Sequence, residues 1–146
     1  MEDAKMISTK GRYSLRILID LAQHRNGNYI PMKEVAKRQG ISLKYIERLL
    51  PALKEGGLID SLHGKGGGYK LTREPDEYDL WEILRLAEGD LAPVECLKDD
   101  AEQCARSGQC MTIAVWRNYY KLIKDYFSGI TLADLIDTET SYDYII

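Results

Sequence analysis

Three cysteines are the residues of this chain best suited to metal or redox chemistry. Cys96, Cys104 and Cys110 have seven and five residues between them, a spacing without a CxxC pair. Thiolates suit iron-sulfur clusters or zinc, and a bound metal would order a loop that has no regular pattern of its own. An odd number of cysteines argues against a disulfide framework. The residues alone leave three interpretations open: a metal or cluster site, a thiol redox switch, and cysteines without a chemical role.

A second group of residues has the chemistry of nucleic-acid binding. Lys44 and Arg48 stand one helical turn apart and project together, so they can reach phosphates or guanine edges. Ser42 and Tyr45 beside them can donate hydrogen bonds to phosphate or to base edges. Glu47 repels phosphate but can accept from cytosine N4, so it would select sequence rather than add affinity. The alternative interpretation is a solvated helix face that binds nothing.

A glycine-rich stretch carries two more candidate DNA-binding residues. His63 and Lys65 lie in the sequence HGKGGG, between two apolar runs. Because glycine has few steric limits, we expect a hairpin tip that can enter a minor groove. Histidine is only partly charged at neutral pH, so we expect its contact with DNA to be weaker than that of a fully charged side chain, or to depend on pH. A nucleotide-binding loop is excluded, because the Walker-A and dinucleotide spacings are absent and a strand follows.

The elements around these residues come in the order helix, helix, helix, hairpin. Apolar periodicity predicts a first helix over residues 10 to 25, capped by Ser8 or Thr9, and a second from residue 32 to residue 39. Two short strands are predicted over residues 58 to 62 and 68 to 72. This order is typical of a winged helix, whose third helix enters a DNA groove about 12 Å wide.

The third helix carries the candidate DNA-facing residues. Ser42 is a good N-cap, and an apolar stripe follows it at helical spacing. Pro51 removes one backbone donor. We therefore expect the regular helix to stop near Leu50, with a bent extra turn to Glu55.

The second half of the chain is predicted to be helical around the cysteines. Residues 79 to 88 form a helix with Asp79 as N-cap and Glu82 in a capping-box arrangement. Residues 90 to 111 lack a sustained period and hold all three cysteines. Residues 112 to 128 form the longest helix.

The longest predicted helix has more apolar surface than one chain of this length can cover. Its apolar and aromatic residues are spaced as a packing seam rather than a cofactor site, so we expect a two-fold related partner helix. The apolar residues are Val115, Trp116, Tyr119, Tyr120, Leu122, Ile123, Tyr126 and Phe127. A short helix over residues 131 to 136 and a loose tail, residues 138 to 146, complete the chain. The expected fold is mainly α with a small β-hairpin wing: a winged helix-turn-helix plus a long dimerisation helix.

Charge divides the chain more sharply than its net value of −3 suggests. Residues 1 to 75 carry fourteen Lys and Arg against eight Asp and Glu, which is +6, and residues 76 to 146 carry six against fifteen, which is −9. A basic front half is typical of a polyanion-binding module. We therefore expect a winged-helix DNA-binding domain over residues 6 to 75, and a cysteine loop with dimerisation helices over residues 76 to 137.

The composition is that of a soluble globular protein, with 45% apolar and 29% charged residues in 146. No run approaches the ~18 apolar residues of a membrane span, and the first residues lack a signal-peptide pattern. These features predict a cytoplasmic protein without a membrane partner.

Several motifs in order carry a family resemblance. They are ISTKGRYSLRILIDLA, ISLKYIERLL, GLIDSLHGKGGGYKL, the segment from Cys104 to Cys110, and MTIAVWRNYY followed by SGITLADLI. Through them, residues 6 to 137 resemble the bacterial winged-helix regulators that include the iron-sulfur cluster regulator IscR and the cysteine-metabolism repressor CymR, with IscR the nearer. The resemblance implies a homodimer on palindromic promoter DNA, with residues matching Ser42 and Tyr45 at the DNA surface.

The resemblance also implies an iron-sulfur cluster, commonly 2Fe-2S, held by the three cysteines and changing DNA affinity. The iron-sulfur regulator has a histidine three residues after its last cysteine, where this chain has Ile113, which cannot ligate. Other relatives take a carboxylate from the partner's first helix, where this chain has Arg12 and Tyr13. Relatives often have arginine in place of His63. The fourth ligand is therefore unknown, and the candidates are Glu95, Asp99, Asp100, Glu102, a water or an exogenous thiol.

The expected function is a homodimeric DNA-binding transcription regulator that senses iron-sulfur cluster status. The alternative is a cluster-independent repressor of sulfur or cysteine metabolism genes, controlled by a partner protein or by thiol oxidation. Candidate protein partners are iron-sulfur assembly and cysteine-synthesis proteins. An enzyme is not expected, because no nucleophile–base pair accompanies the cysteines.

Overall fold

The computed structural model describes residues 7–98 and 110–136. Within them the order of elements is three helices, a two-stranded hairpin and three further helices, which confirms the mainly α fold with a hairpin wing. The helices are α1 (Thr9–Gln23), α2 (Met32–Gln39), α3 (Leu43–Glu55), α4 (Leu80–Glu88), α5 (Ile113–Ser128) and α6 (Leu132–Ile136), and the strands are β1 (Ile59–Leu62) and β2 (Gly68–Leu71). Short 3₁₀ turns occupy Pro75–Glu77 and Glu95–Leu97.

Helix α1 begins one residue earlier and ends two residues earlier than its periodicity predicts. The hydroxyl of Ser8 accepts from the backbone N of Lys10 at 3.0 Å, so Ser8 rather than Thr9 caps the helix. At the other end His24 leaves the helical conformation, and Gly27 turns the chain with a φ of +86°. The turn returns the chain to the start of α2, which has the predicted bounds.

Helix α3 contradicts the prediction that its regular part stops near Leu50. It runs without a break from Leu43 to Glu55, with Pro51 inside it. Pro51 lies on the exposed side of the helix, as does Glu47, whose carbonyl is the one that would accept from residue 51. Solvent can therefore replace the missing hydrogen bond, while Leu50 and Leu53 stay buried on the opposite side.

The hairpin is anchored to the turn between α1 and α2. Strands β1 and β2 pair antiparallel with Ile59 opposite Leu71 and Leu62 opposite Gly68, one residue shorter each than predicted. Ile30 joins them through two backbone hydrogen bonds with Tyr69, of 2.8 and 2.9 Å. The wing is therefore held at its base by a third backbone segment, and its glycine tip extends beyond that anchor.

One hydrophobic core joins the two halves of the chain. Fully buried residues of α1, α2, α3 and the strand region pack with residues from beyond position 76: Ile17, Leu18, Leu21, Val35, Ile46, Leu53, Leu58, Tyr78, Ile83 and Leu132. The Tyr78 hydroxyl donates to the Leu58 carbonyl at 2.7 Å, and the backbone N of Leu132 donates to the Tyr78 carbonyl at 3.0 Å. The functional division near residue 75 stays a prediction. No helix in the described ranges combines the length and apolar character of a membrane span.

Helix α4 has the predicted N-cap. The Asp79 carboxylate accepts from the backbone N of Glu82 at 2.9 Å. The Glu82 side chain pairs with Arg73, with N–O distances of 2.7 and 2.9 Å, instead of completing the expected capping box. A two-pronged bond to a guanidinium is stronger than a bond to a backbone N–H, which explains the difference.

Candidate nucleic-acid interface

The turn between α2 and α3 sets the position of the candidate DNA-facing side chains. Gly40 ends α2 in the left-handed conformation, with a φ of +65°. Ser42 then caps α3, its hydroxyl oxygen accepting from the backbone N of Tyr45 at 3.1 Å. Because that oxygen only accepts here, the Ser42 proton remains available to donate to a DNA phosphate or base.

The predicted DNA-facing residues of α3 lie close together but differ in their surroundings. Lys44 and Arg48 are exposed, one turn apart. Tyr45 is half-buried: its hydroxyl lies 2.8 Å from Oγ1 of Thr9, and its ring meets the edge of Tyr13 at 5.6 Å between centroids, with an interplanar angle of 86°. The lysine and arginine are free to follow a phosphate backbone, whereas the tyrosine is held by α1.

Helix α1 supplies three residues that the sequence analysis did not assign to the DNA-facing surface. Thr9, Tyr13 and Arg16 follow one another at helical spacing along α1, and Thr9 and Tyr13 contact Tyr45 of α3. Arg16 lies 5.3 Å from the Tyr13 ring centroid and donates to the Gln39 side chain at 3.1 Å and to the Gln39 carbonyl. Their spacing of four and three residues is the sequence signal that could have found them.

The wing and α3 border the same open groove. It has a volume of about 570 Å³ and is lined by Leu43 and Glu47 of α3 and by His63 and Gly64 of the wing. His63 and Lys65 are exposed at the tip. The structure therefore brings the wing beside the helix that carries Lys44 and Arg48. Of the charged residues of that helix named so far, Glu47 lines the groove, and Lys44 and Arg48 do not.

A buried carboxylate joins α1 to α2 behind this surface. Asp20 is fully buried and accepts from Arg38 at 2.7 to 3.2 Å and from the Gln39 side chain at 2.9 Å. Burial alone would raise the pKa of the Asp20 carboxyl, but the hydrogen bonds from Arg38 and Gln39 outweigh it and hold that pKa below its ordinary value. Asp20 is thus charged at neutral pH and holds Gln39, the partner of Arg16.

The predicted metal ligands are only partly within the described residues. Cys96 lies half-buried in the 3₁₀ turn before residue 99, and Cys110 half-buried just before α5. Cys104 lies outside the described residues. Across residues 7–98 and 110–136, no three His, Cys, Asp or Glu side chains gather as a metal site. Cys110 Sγ lies 3.5 Å from Oγ1 of Thr112, which also accepts from the Trp116 indole at 3.2 Å.

Within residues 7–98 and 110–136, helix α5 packs on its own chain with one side. Tyr120 meets the Trp81 ring of α4 at 5.6 Å between centroids. Away from that contact lie large exposed apolar side chains: Val115, Tyr119, Leu122 and Tyr126. Leu122 and Tyr126 are 68% and 65% exposed, which is unusual for such residues in a helix of a lone domain. We call this set the outer face of α5.

Comparison with known proteins gives the family of this fold. Residues 7–138 match the Rrf2 model, described as "Iron-dependent Transcriptional regulator". The chain belongs to the Rrf2 family. An Rrf2 relative from Erwinia tasmaniensis, "HTH-type transcriptional regulator IscR", is 32% identical over 133 residues, covering 91% of this chain and 79% of that protein.

Two solved structures agree with the Rrf2 assignment. The cysteine regulator CymR of B. subtilis is 36% identical with a TM-score of 0.71, covering 90% of this chain and 96% of that one. T. potens IscR is 32% identical with the same TM-score of 0.71, covering 94% and 90%. The expected resemblance to IscR and CymR is confirmed, and this Rrf2 protein is a transcription regulator of a DNA-binding family rather than an enzyme.

Proposed function

We propose that this Rrf2 protein is a homodimeric regulator that binds promoter DNA through α3 and the wing and senses iron-sulfur cluster status through Cys96, Cys104 and Cys110. The observation that carries the DNA-binding part is that α3 and the wing border one open groove, lined by Leu43 and Glu47 of α3 and by His63 of the wing. Lys44 and Arg48 are exposed on the same helix. A winged helix uses that surface on duplex DNA.

The proposed DNA-binding residues of α3 have different roles, because the protein holds some of their side chains in place and leaves others exposed. Lys44 and Arg48 are exposed, so they neutralise phosphates or reach guanine edges. Ser42 and Tyr45 have fixed positions, Ser42 as a cap and Tyr45 against α1, which suits them to recognise defined groups. His63 and Lys65 at the wing tip contact the adjacent minor groove.

The proposed homodimer is supported by the outer face of α5. Its aromatic and aliphatic side chains are exposed on a single chain, and a second copy related by a two-fold axis would cover them. Two winged helices related in this way match a palindromic operator, with half-sites about one helical turn apart. Residues 6–75 would then bind DNA and residues 76–137 would hold the dimer and the cysteines.

The cluster proposal is supported by the donor set. Cys96 and Cys110 present half-buried thiols on either side of residues 99–109, which contain Cys104, and thiolates are the ligands of iron-sulfur clusters. A bound 2Fe-2S cluster would supply redox-sensitive, exchangeable chemistry at this segment. Ile113 begins α5 and offers no ligand, and the Glu95 carboxylate already pairs with Lys98 at 2.9 Å. The fourth ligand stays open among the candidates named above.

Anaerobic purification tests the sensing proposal. We expect visible absorption with iron and acid-labile sulfide in the purified protein, and DNA affinity that changes when Cys96, Cys104 and Cys110 are all replaced by serine. A colourless, iron-free protein whose DNA affinity is the same with and without the three cysteines would end the sensing proposal. The proposal that α3 binds DNA would be unaffected by that result.

A second candidate function is favoured by the likeness to CymR, the structure described as the global cysteine regulator of B. subtilis. In this version the chain represses sulfur or cysteine metabolism genes without a cluster, under control of a cysteine-synthesis protein or thiol oxidation. Reversible loss of DNA binding on mild oxidation, in protein shown to lack iron, would support this candidate over the first. Iron-sulfur assembly proteins are the corresponding partners for the first candidate. Under both candidate functions the regulator would bind promoter DNA in the cytoplasm.

A further inference from the structure

The last residue of α4 lies against the first turn of α1. One carboxylate oxygen of Glu88 accepts from the backbone N of Ser8 and from the backbone N of Gly11, both at 2.9 Å. The Ser8 hydroxyl donates to the same carboxylate at 2.9 Å. Backbone N–H groups at the start of a helix lack helical partners, and the helix dipole favours an anion there. Glu88 therefore supplies charge and acceptors to a helix far away in sequence.

Two residues at this contact are unfavourable choices for their own helices. A glutamate at the C-terminal end of α4 meets the negative end of the α4 dipole. Glycine is a poor helix former, yet Gly11 lies in the first turn of α1. A Cβ at Gly11 would lie 2.6 Å from Glu88 Oε2 and 3.0 Å from Leu84 Cδ2, so only glycine allows this approach. The contact between Glu88 and the start of α1 explains why these two residues occur where each is unfavourable for its own helix.

The turn that Glu88 caps also holds the tyrosine of α3. Thr9 lies between Ser8 and Gly11 and places its hydroxyl 2.8 Å from the Tyr45 hydroxyl. Tyr13, one turn further along α1, contacts the Tyr45 ring. A shift of the first turn of α1 would therefore move the atoms against which Tyr45 rests.

On its other side Glu88 leads into the cysteine segment. Gly89 ends α4 with a φ of +92°, a conformation that favours glycine, and Cys96 follows eight residues after Glu88. Ala92, between them, is buried. The chain that carries Cys96 thus starts from the residue that holds the start of α1.

We propose that Glu88 is a positioning residue for DNA recognition. By capping α1 it fixes Thr9 and, through Thr9, Tyr45, and so connects the segment leading to Cys96 with the DNA-facing side of α3. Glu88 itself touches no DNA. The proposal rests on the proposed function, because the position of Tyr45 matters only if α3 meets DNA.

A double-mutant cycle on the full-length protein tests this connection. The probes are a duplex enriched by the wild-type protein from a randomised library and a scrambled duplex of the same composition. We expect Glu88→Gln to weaken binding to the enriched duplex about fivefold while changing binding to the scrambled duplex less than about twofold. In a Tyr45→Ala background, where no tyrosine remains to be positioned, the same change should have an effect below about twofold.

Two further variants separate position from charge and from folding. Gly11→Ala displaces the Glu88 carboxylate without changing any charge, and should reproduce the loss seen with Glu88→Gln. Glu55→Gln removes the same charge from an exposed site at the end of α3, and should bind both duplexes like the wild type. If Glu88→Gln fails to fold by circular dichroism, Gly11→Ala carries the test.

The outcomes divide cleanly. An equal loss in the Tyr45→Ala background, or unchanged affinity for the enriched duplex together with a lowered thermal midpoint, reduces Glu88 to a structural cap and overturns the proposal. A wild-type protein without salt-sensitive binding to any duplex overturns the proposed function instead. The expected pattern supports both.

Discussion

The side chains proposed to meet DNA differ in how firmly the fold holds them. Lys44 and Arg48 are exposed, whereas Tyr45 has a hydroxyl partner in Thr9 and a ring partner in Tyr13. Phosphate neutralisation tolerates a mobile charge, but recognition of a base edge needs a fixed donor or acceptor. We therefore propose that Lys44 contributes to affinity and Tyr45 to sequence preference.

Replacing Lys44 tests the affinity role. We expect Lys44→Gln to weaken binding to every duplex and to lower the slope of log affinity against log salt by about one unit, because one phosphate contact is lost. Fluorescence anisotropy across a salt series measures this. Lys54→Gln, an equal change in the last turn of the same helix, should leave the slope unchanged. A Lys44 variant that alters the ranking of duplexes would mean that this lysine contacts bases.

Replacing Asp20 tests the buried network behind the DNA-facing surface. Asp20→Asn removes a charge that Arg38 and Gln39 bind, and we expect the free energy of unfolding in urea to fall by about 2 kcal/mol at neutral pH. Asp125→Asn breaks the exposed pair with Lys121, whose N–O distance is 2.6 Å, and should change stability by less than about 0.5 kcal/mol.

The pH dependence of the same network has a defined direction. The pKa of the Asp20 carboxyl is lowered by folding, so its contribution is complete above the ordinary value of 3.8 and is lost as the pH falls through the lower folded value. Wild-type stability should therefore decline in that acid range more than the stability of Asp20→Asn. Parallel pH profiles for the two proteins would show that Asp20 is not linked to folding.

Local contacts at the residue scale could be predicted from the sequence, and distant ones could not. Ser42 and Asp79 bond to backbone N–H groups three residues away, so their spacing indicated their roles. Tyr45 and Thr9 lie 36 residues apart, and Glu88 and Ser8 lie 80 apart. Such partners are chosen by helix packing, which no local pattern encodes.

At the scale of elements, α3 shows where the local rule for proline gives the wrong prediction. The apolar stripe correctly predicted a helix, but Pro51 led to a predicted break that the structure does not have. Whether the helix breaks at Pro51 depends on which side of the helix the unpaired Glu47 carbonyl faces, and here that side is exposed. Packing of Leu50 and Leu53 into the core then favours the continuous helix over the bend that proline prefers locally.

The same element gives a stability prediction. Pro51→Ala restores the backbone donor to Glu47 on an exposed side of α3, and we expect it to raise the free energy of unfolding by about 2 kcal/mol, the helix gain minus the lost stiffness of the unfolded chain. Urea denaturation measures this, with Lys54→Ala as a control that should stay within about 0.5 kcal/mol of the wild type. Destabilisation by Pro51→Ala would mean that the proline ring itself packs favourably.

At the scale of the whole molecule, charge and core divide the chain differently. The basic and acidic halves meet near residue 75, yet Tyr78, Ile83 and Leu132 from the acidic half complete the core under α1 and α3. The charge of a segment reflects the partner that its surface meets. The membership of the core instead reflects which apolar helix faces have to be buried. The order of elements was predictable from the sequence, and this shared core was not.

The dimer is the prediction that concerns the molecule as a whole. Leu122→Asp places a charge in the middle of the outer face of α5, where a two-fold partner would bury it, so we expect a monomer in sedimentation-velocity experiments. Affinity for a palindromic duplex should fall with it, because two half-sites are no longer bound by one linked pair. Ser128→Asp adds the same charge on the exposed polar side of α5, about 120° around the helix from Leu122, and should stay dimeric. A Leu122→Asp protein that remains a dimer would show that the outer face lies outside the subunit interface and that the two winged helices are linked by another surface.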